Sequence, residues 1–354
     1  MSPPPSRRAL SGLAAVLLLS IAALTSCATA GEQASGPALA LDAPLPAEVP
    51  PGTRLRVGDP QTQVALRLSG EIDKFSFDVE WANLSGGPQT TEAFRADALD
   101  VGAVAEIPAI HATWTGLPVK IVASRFKQDP LNHPTYELGI APGADVTTLA
   151  GLRGKKIAYS PGQAQGALVL RILRKAGLTS EDVTFVELPS TGDVYVNALA
   201  SKQVDAAPLG GVNIKRYVTK YGADGATTIR HGIRDDPAHL YVRTETLKDP
   251  AKAAAIREYV RAWARAAVWI DEHPQEWIEG YYVKDQGLTA ADGDYLVKLA
   301  GSPEIPANWD DVIARHQETV GLLAAETGNP VLDARDLYDL RFASVAADAL
   351  KEGA

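Results

Sequence analysis

The stretch GGPQTTEAFRADALDVGAVAEIPAI, residues 86–110, constrains the fold more than any other part of the chain. It opens with the turn Gly86-Gly87-Pro88. A helix is expected over about residues 89–95, with Thr90 or Thr91 able to satisfy free N–H groups of its first turn. A small-residue strand is expected over residues 99–104, and Glu106-Ile107-Pro108 then turns the chain into a second helix. Two helix N-termini therefore lie a few residues from two strand ends. In an open α/β sheet that edge is where ligands bind, because unpaired N–H groups and the positive ends of the helices point outward. The same residues also fit an ordinary strand-helix-strand unit whose glycines only make turns.

The rest of the chain repeats this alternation. Residues 55–58 read as a strand, Asp59-Pro60-Gln61-Thr62 as the turn after it, and residues 63–68 as the start of a helix. Phe77, Val79 and Trp81 alternate as in a half-buried strand. Residues 119–123 are a further strand, 126–135 a polar loop, and 136–141 a strand taken as a first crossing between two lobes. Past it, the strand 156–159 ends in the loop 160–166, which feeds a helix over 167–176; this mirrors the Gly86 turn. Strands at 183–187 and 204–208 flank a helix at 193–200, and the second of them leads into Leu209-Gly210-Gly211-Val212-Asn213. Residues 239–243 are expected to cross back. Ile256, Tyr259, Val260, Trp263, Ala267 and Ile270 then recur at helical spacing, a stripe read as core packing, until Pro274 ends the helix. Helices are also expected at 275–284, 290–299 and 309–327. The fold class is thus α/β, on a chain long enough for two lobes joined by two crossings.

The N-terminus reads as an export signal. Residues 1–26 combine Arg7-Arg8 with an apolar run too short to span a membrane. Leu24-Thr25-Ser26-Cys27 resembles the bacterial lipobox, which implies cleavage before Cys27 and its acylation; an incidental cysteine is the alternative. Residues 27–52, rich in Ala, Pro and Gly, read as a disordered tether or as a leftover of signal processing. Lobe 1 is expected over residues 53–141, lobe 2 over 142–238, and a return to lobe 1 with C-terminal helices over 239–354.

Composition excludes several functions. A formal net charge of −9 without a basic run interleaved with aromatics does not suit nucleic acid. Cys27 is the sole cysteine, so no internal disulfide and no multi-cysteine zinc site can form. The six histidines show no local metal-binding spacing. There is no G-x-S-x-G elbow, no P-loop and no G-x-G-x-x-G fingerprint, so no cofactor is expected. The carboxylate pairs Asp235-Asp236 and Asp310-Asp311 are adjacent in sequence, their side chains diverge, and they read as solvated turns or helix starts.

The organising stretch resembles the solute-receptor subunits of ABC importers for aliphatic sulfonates, taurine and nitrate, which fold as two-lobed, type II periplasmic-binding proteins with a mixed sheet in each lobe. Arg54-Leu55-Arg56-Val57-Gly58, Leu152-Arg153-Gly154-Lys155-Lys156-Ile157-Ala158 and Val204-Asp205-Ala206-Ala207 extend the similarity over residues 53–241. The resemblance implies a cleft that closes by a hinge over a small organic anion, an alkanesulfonate or taurine-like compound first among them. It also implies an ABC permease and ATPase as partners. Ligand contacts are expected from Gln61 and Thr62, with capping by Thr62 as the alternative, and from Gly87, Pro88 and Gln89. On the second lobe they are expected from Gly162, Gln163, Gln165 and Gly166, and from Gly210, Gly211 and Asn213. Glu106 and Ile107 would also face the cleft, with His239 beside them; Glu106 would meet a ligand amine or cap the following helix. Where some sulfonate receptors carry a tryptophan this chain has Leu209-Gly210-Gly211, which leaves nitrate or a thiamine-pyrimidine-like solute open. An enzyme on the same fold, and a receptor feeding a sensor kinase, are the other readings.

Overall fold

The computed structural model describes residues 38–84 and 86–352. The expected signal, Cys27 and the first part of the tether lie outside them. The first lobe is built on β1 (Arg54–Gly58), α1 (Pro60–Leu68), β2 (Asp78–Trp81), α2 (Gly87–Arg95), β3 (Val101–Val104), α3 (Ile107–Trp114) and β4 (Val119–Lys127). The second contains β5 (Tyr136–Ile140), β6 (Lys156–Tyr159), α4 (Ala164–Lys175), β7 (Thr184–Glu187), α5 (Val194–Ala200), β8 (Ala206–Gly210), α6 (Val212–Tyr221) and β9 (Thr227–Ile229). The chain then returns through β10 (Ala238–Arg243), α7 (Pro250–Glu272), α8 (Pro274–Trp277), α9 (Ala290–Ala300), β11 (Pro303–Glu304), α10 (Asp310–Thr327) and α11 (Val345–Lys351).

One six-stranded sheet runs in the order β11-β4-β10-β3-β1-β2, and a five-stranded sheet in the order β7-β6-β8-β5-β9. Both are mixed: β1 pairs in parallel with β2 and β3, whereas β10 is antiparallel to β3 and β4. In the second sheet β6 is parallel to β7 and β8, and β5 is antiparallel to β8 and β9. Tyr136–Ile140, expected as a crossing strand, instead lies between two strands of the second sheet; the chain crosses just before it, in residues 128–135. The return crossing is residues 230–237.

The two crossings are tied to each other. Asp235 accepts hydrogen bonds from Thr135 N at 2.9 Å and Tyr136 N at 2.8 Å, and Asp236 from Lys127 N at 2.7 Å. Both aspartates are buried, at 8% and 7% exposure, which corrects their reading as a solvated turn. Each carboxylate replaces water with backbone donors of the opposite strand, the condition under which a buried charge is tolerated.

The C-terminal helices cover the first sheet. Asp249 caps α7 by accepting from Ala251 N and Lys252 N, Pro250 opens it, and Ile256, Tyr259, Val260 and Trp263 face the core as their spacing predicts. The single helix expected over residues 275–284 is instead α8 followed by a π-helical turn, Ile278–Val283. Gly280 sits in that turn directly over the methyl groups of Leu68, which would have to move to admit a side chain there, so the wider turn packs closely on α1. Residues 38–52 also depart from the expected tether. Leu41, Leu45 and Val49 pack against the first core, Leu39 N donates to Lys248 O at 2.7 Å, and Arg341 donates to the Ala43 carbonyl at 3.1 Å. Among the described residues, no helix is long and apolar enough to cross a membrane.

Candidate functional site

The strand ends and helix starts of the two lobes meet. Asp59 caps α1, accepting from Thr62 N at 3.2 Å, and also accepts from the Tyr259 hydroxyl at 3.2 Å. Burial raises the Asp59 pKa, opposed by those hydrogen bonds and by Arg125. Thr62 is 5% exposed and belongs to this cap, whereas Gln61 projects into the interlobe cleft. At the other first-lobe rim, a methyl group added to Gly87 would strike Pro108 and come within 3.5 Å of the Gly162 carbonyl of the second lobe. Gly162 has φ of 82°, in the left-handed region, and packs against the His111 ring. The amide of Gln163 reaches to within 4.0 Å of where a Gly86 side chain would stand. The turns at Gly86 and Gly162, far apart in sequence, are thus closed against each other. Pro88 and Gln89 are exposed beside this contact, and Gly166 lies in α4 immediately behind it.

Two adjoining cavities occupy the cleft and share Thr135 and Tyr136. The larger measures about 340 Å³ and is walled by Gln61, Ala105 and Arg125 of the first lobe, Ala164 at the start of α4, and Trp277 and Tyr282. The smaller, about 270 Å³, is lined by Gln165, Gly210, Gly211, Asn213 and Tyr195. The Tyr195 hydroxyl is buried close to Ser160 and makes no hydrogen bond of ordinary geometry among the described residues; burial, opposed by Ser160, raises its pKa to about 12, so it keeps its proton at neutral pH. Asn213 donates to Gly192 O at 3.1 Å, which leaves its amide oxygen for the cavity.

Arg125 is the functional candidate that the sequence reading did not find. It sits in β4 within VKIVASRFK, with its guanidinium carbon 5.0 Å from the centre of the Trp263 ring. Among the described residues it forms no ion pair and no side-chain hydrogen bond, and it lines the larger cavity. Burial lowers its pKa and Asp59 opposes the shift; a guanidinium stays charged throughout. Stacking on Trp263 fixes the group while leaving its N–H donors unspent. Its sequence context carried no such signal, since Arg125 falls between the strand expected over residues 119–123 and the loop expected over 126–135.

Glu106, Ile107 and His239 are not brought to this cleft. Ile107 is 1% exposed and belongs to the core, which corrects its expected place at the site. Glu106 accepts from Arg171 of α4 at 2.6 Å and from the Thr319 hydroxyl of α10 at 3.0 Å. It makes no capping bond to α3, so the capping reading is corrected, and its carboxylate is engaged by Arg171 across the lobes. His239 is 2% exposed and meets the Ser124 hydroxyl through Nδ1 at 2.9 Å. Its ring stacks on His316, whose Nε2 lies 3.1 Å from the Glu106 carbonyl. Burial holds both imidazoles below their usual pKa. Glu106, His239 and His316 line a separate cavity between α4 and α10.

Residues 76–277, more than half of the chain, match the family model for NMT1/THI5-like proteins. A protein of Escherichia coli (strain K12) named for binding aliphatic sulfonates is 30% identical over 105 residues, which cover 30% of this chain and 32% of that one. The aligned part therefore spans about a third of that relative. The alkanesulfonate-binding protein of Xanthomonas axonopodis pv. citri, solved with MOPS, superposes with a TM-score of 0.66 at 22% identity, covering 83% of this chain and 99% of the other. A desulfurization enzyme in complex with biphenyl-2-sulfinic acid superposes with a TM-score of 0.58 at 15% identity, covering 84% and 99%. The fold is that of the two-lobed periplasmic-binding proteins, and it serves both receptors and an enzyme. The chain belongs to the NMT1/THI5-like family.

Proposed function

We infer that the protein is an extracytoplasmic receptor that delivers a small organic anion to an ABC permease and its ATPase. An alkanesulfonate or taurine-like compound is the first candidate solute. The observation that carries this reading is Arg125: among the described residues this cation makes no direct ion pair or side-chain hydrogen bond, feels Asp59 only at a distance, and lines the interlobe cavity opposite the first turn of α4. Free N–H groups at the start of α4 and the Gln61 amide supply further donors for oxygen atoms. Apolar walls from Trp277, Ala105 and Ala267 suit the carbon body of such a solute. Export by residues 1–26 and anchoring through acylated Cys27 complete the reading, since a receptor must stay near its permease. The relative named for aliphatic sulfonates and the MOPS-bound structural neighbour favour the sulfonate class.

Titration calorimetry tests this with alkanesulfonates, taurine, nitrate, amino acids and pyrimidines. One anion is expected to bind, and Arg125→Gln to weaken it by about 10- to 100-fold, the loss of one charged hydrogen-bonding partner. Arg125→Lys, which keeps the charge but not the fork, is expected to fall between. Tight binding of a neutral pyrimidine that ignores both variants would refute the anion reading. Turnover of a captured compound would move the protein to the enzymatic branch of the fold.

A further inference from the structure

The cavity behind the hinge has no part in the reading above. It measures about 320 Å³ and lies between α4, α10 and the return crossing. Phe126, Asp236 and Pro237 border both this cavity and the larger cleft cavity, and so form the wall between them. Its charges do not balance. Arg171 is taken by Glu106 at 2.6 Å and Arg234 by Asp236 at 2.8 Å. Arg174 and Arg315 have no carboxylate or hydrogen-bond partner for their guanidinia among the described residues, and Lys175 donates only to the Gly232 carbonyl, at 2.6 Å. Of the lining acids, Glu318 alone is left without a cation among the described residues. A surplus of positive charge thus converges on one hollow in a protein of formal net charge −9. The Arg315 and Arg234 guanidinium carbons lie 4.8 and 5.0 Å from the centre of the Phe126 ring, which holds them without consuming N–H donors.

We propose that this cavity binds a small multivalent oxyanion, held by Arg174 and Lys175 from the second lobe and Arg315 from the first. Because its cations come from both lobes, the anion bridges them and favours the closed arrangement. By linkage it then tightens the cleft for its solute, and the solute tightens this cavity for its anion by the same factor. The proposal does not depend on which solute the cleft takes.

Titration calorimetry of the purified full chain without any cleft solute tests it. Citrate and inorganic phosphate are the two probes, and acetate at matched ionic strength is the monovalent control. Citrate or phosphate is expected to bind one per chain, acetate not measurably. The double variant Arg174→Gln/Arg315→Gln is expected to lose at least about ten-fold in affinity, while Arg125→Gln keeps it. Should the double variant melt early, Arg174→Gln alone, at an exposed position, gives the same reading in smaller measure. No binding of either probe would overturn the proposal. So would affinity lost in Arg125→Gln but not in the Arg174 and Arg315 variants, which would place the anion in the cleft.

Discussion

Arg125 and Asp100 are two charged residues whose roles follow from what surrounds them. Arg125 lies just past the strand expected over residues 119–123, and β4 extends that strand through it to Lys127. Its use was not legible in the sequence, because Trp263, which fixes it, lies on a helix far along the chain. Asp100 is the converse, a charge that is fully spent. It accepts from Arg56 N and Nη2, each at 2.9 Å, and from Lys252 Nζ at 2.8 Å, with its side chain wholly buried. Burial opposes its ionisation, but the hydrogen bonds from Arg56 and Lys252 win and hold its pKa below the usual value. Its contribution to stability is therefore present above about pH 4 and is lost as pH falls through the depressed folded value. Asp100→Asn is expected to cost about 3 kcal/mol at pH 7, because two cations lose their partner. Denaturant unfolding from pH 7 down to pH 3 checks this: the difference between the two proteins should shrink as the pH drops. A constant difference would contradict it.

Among elements, the legible ones carry a local signature. The Gly86 and Gly162 turns and the stop of α7 before Pro274 were readable because glycine and proline act within a few residues. The π-helical turn after α8 and the packing of residues 38–52 were not, since both are decided by surfaces distant in sequence, Leu68 in one case and Arg341 in the other. The same holds for Asp235 and Asp236, whose backbone partners sit on the other crossing. Glu106 was expected to meet a ligand amine or to cap α3, whereas its partner is Arg171, in the middle of α4. That pair, with Thr319, joins α3, α4 and α10 across the lobes and can exist only when they are together. Glu106→Gln is thus expected to leave the cleft chemistry intact and to weaken solute binding about ten-fold by raising the dissociation rate, through a smaller closed population. Stopped-flow binding measures both rates. An unchanged dissociation rate would show that the pair does not hold the lobes.

At the scale of the molecule, two mixed sheets are joined by two crossings that aspartates pin together, and the turns at Gly86 and Gly162 touch. Under the proposed receptor function, such a body would close as rigid halves about a short hinge, with the ligand stabilising the closed form. The two-lobed α/β class was legible from the alternation of strands, turns and helices. The assignment of side chains to two separate cavities was not, because Glu106 and His239 neighbour cleft residues in sequence but face the other side of the wall at Phe126. The account rests on one anion held between the lobes at Arg125. A crystal structure of the protein with the tightest-binding sulfonate tests this most directly. The sulfonate oxygens are expected within about 3 Å of the Arg125 guanidinium and of N–H groups at the start of α4. A sulfonate bound to one lobe only, or lying away from Arg125, would contradict it.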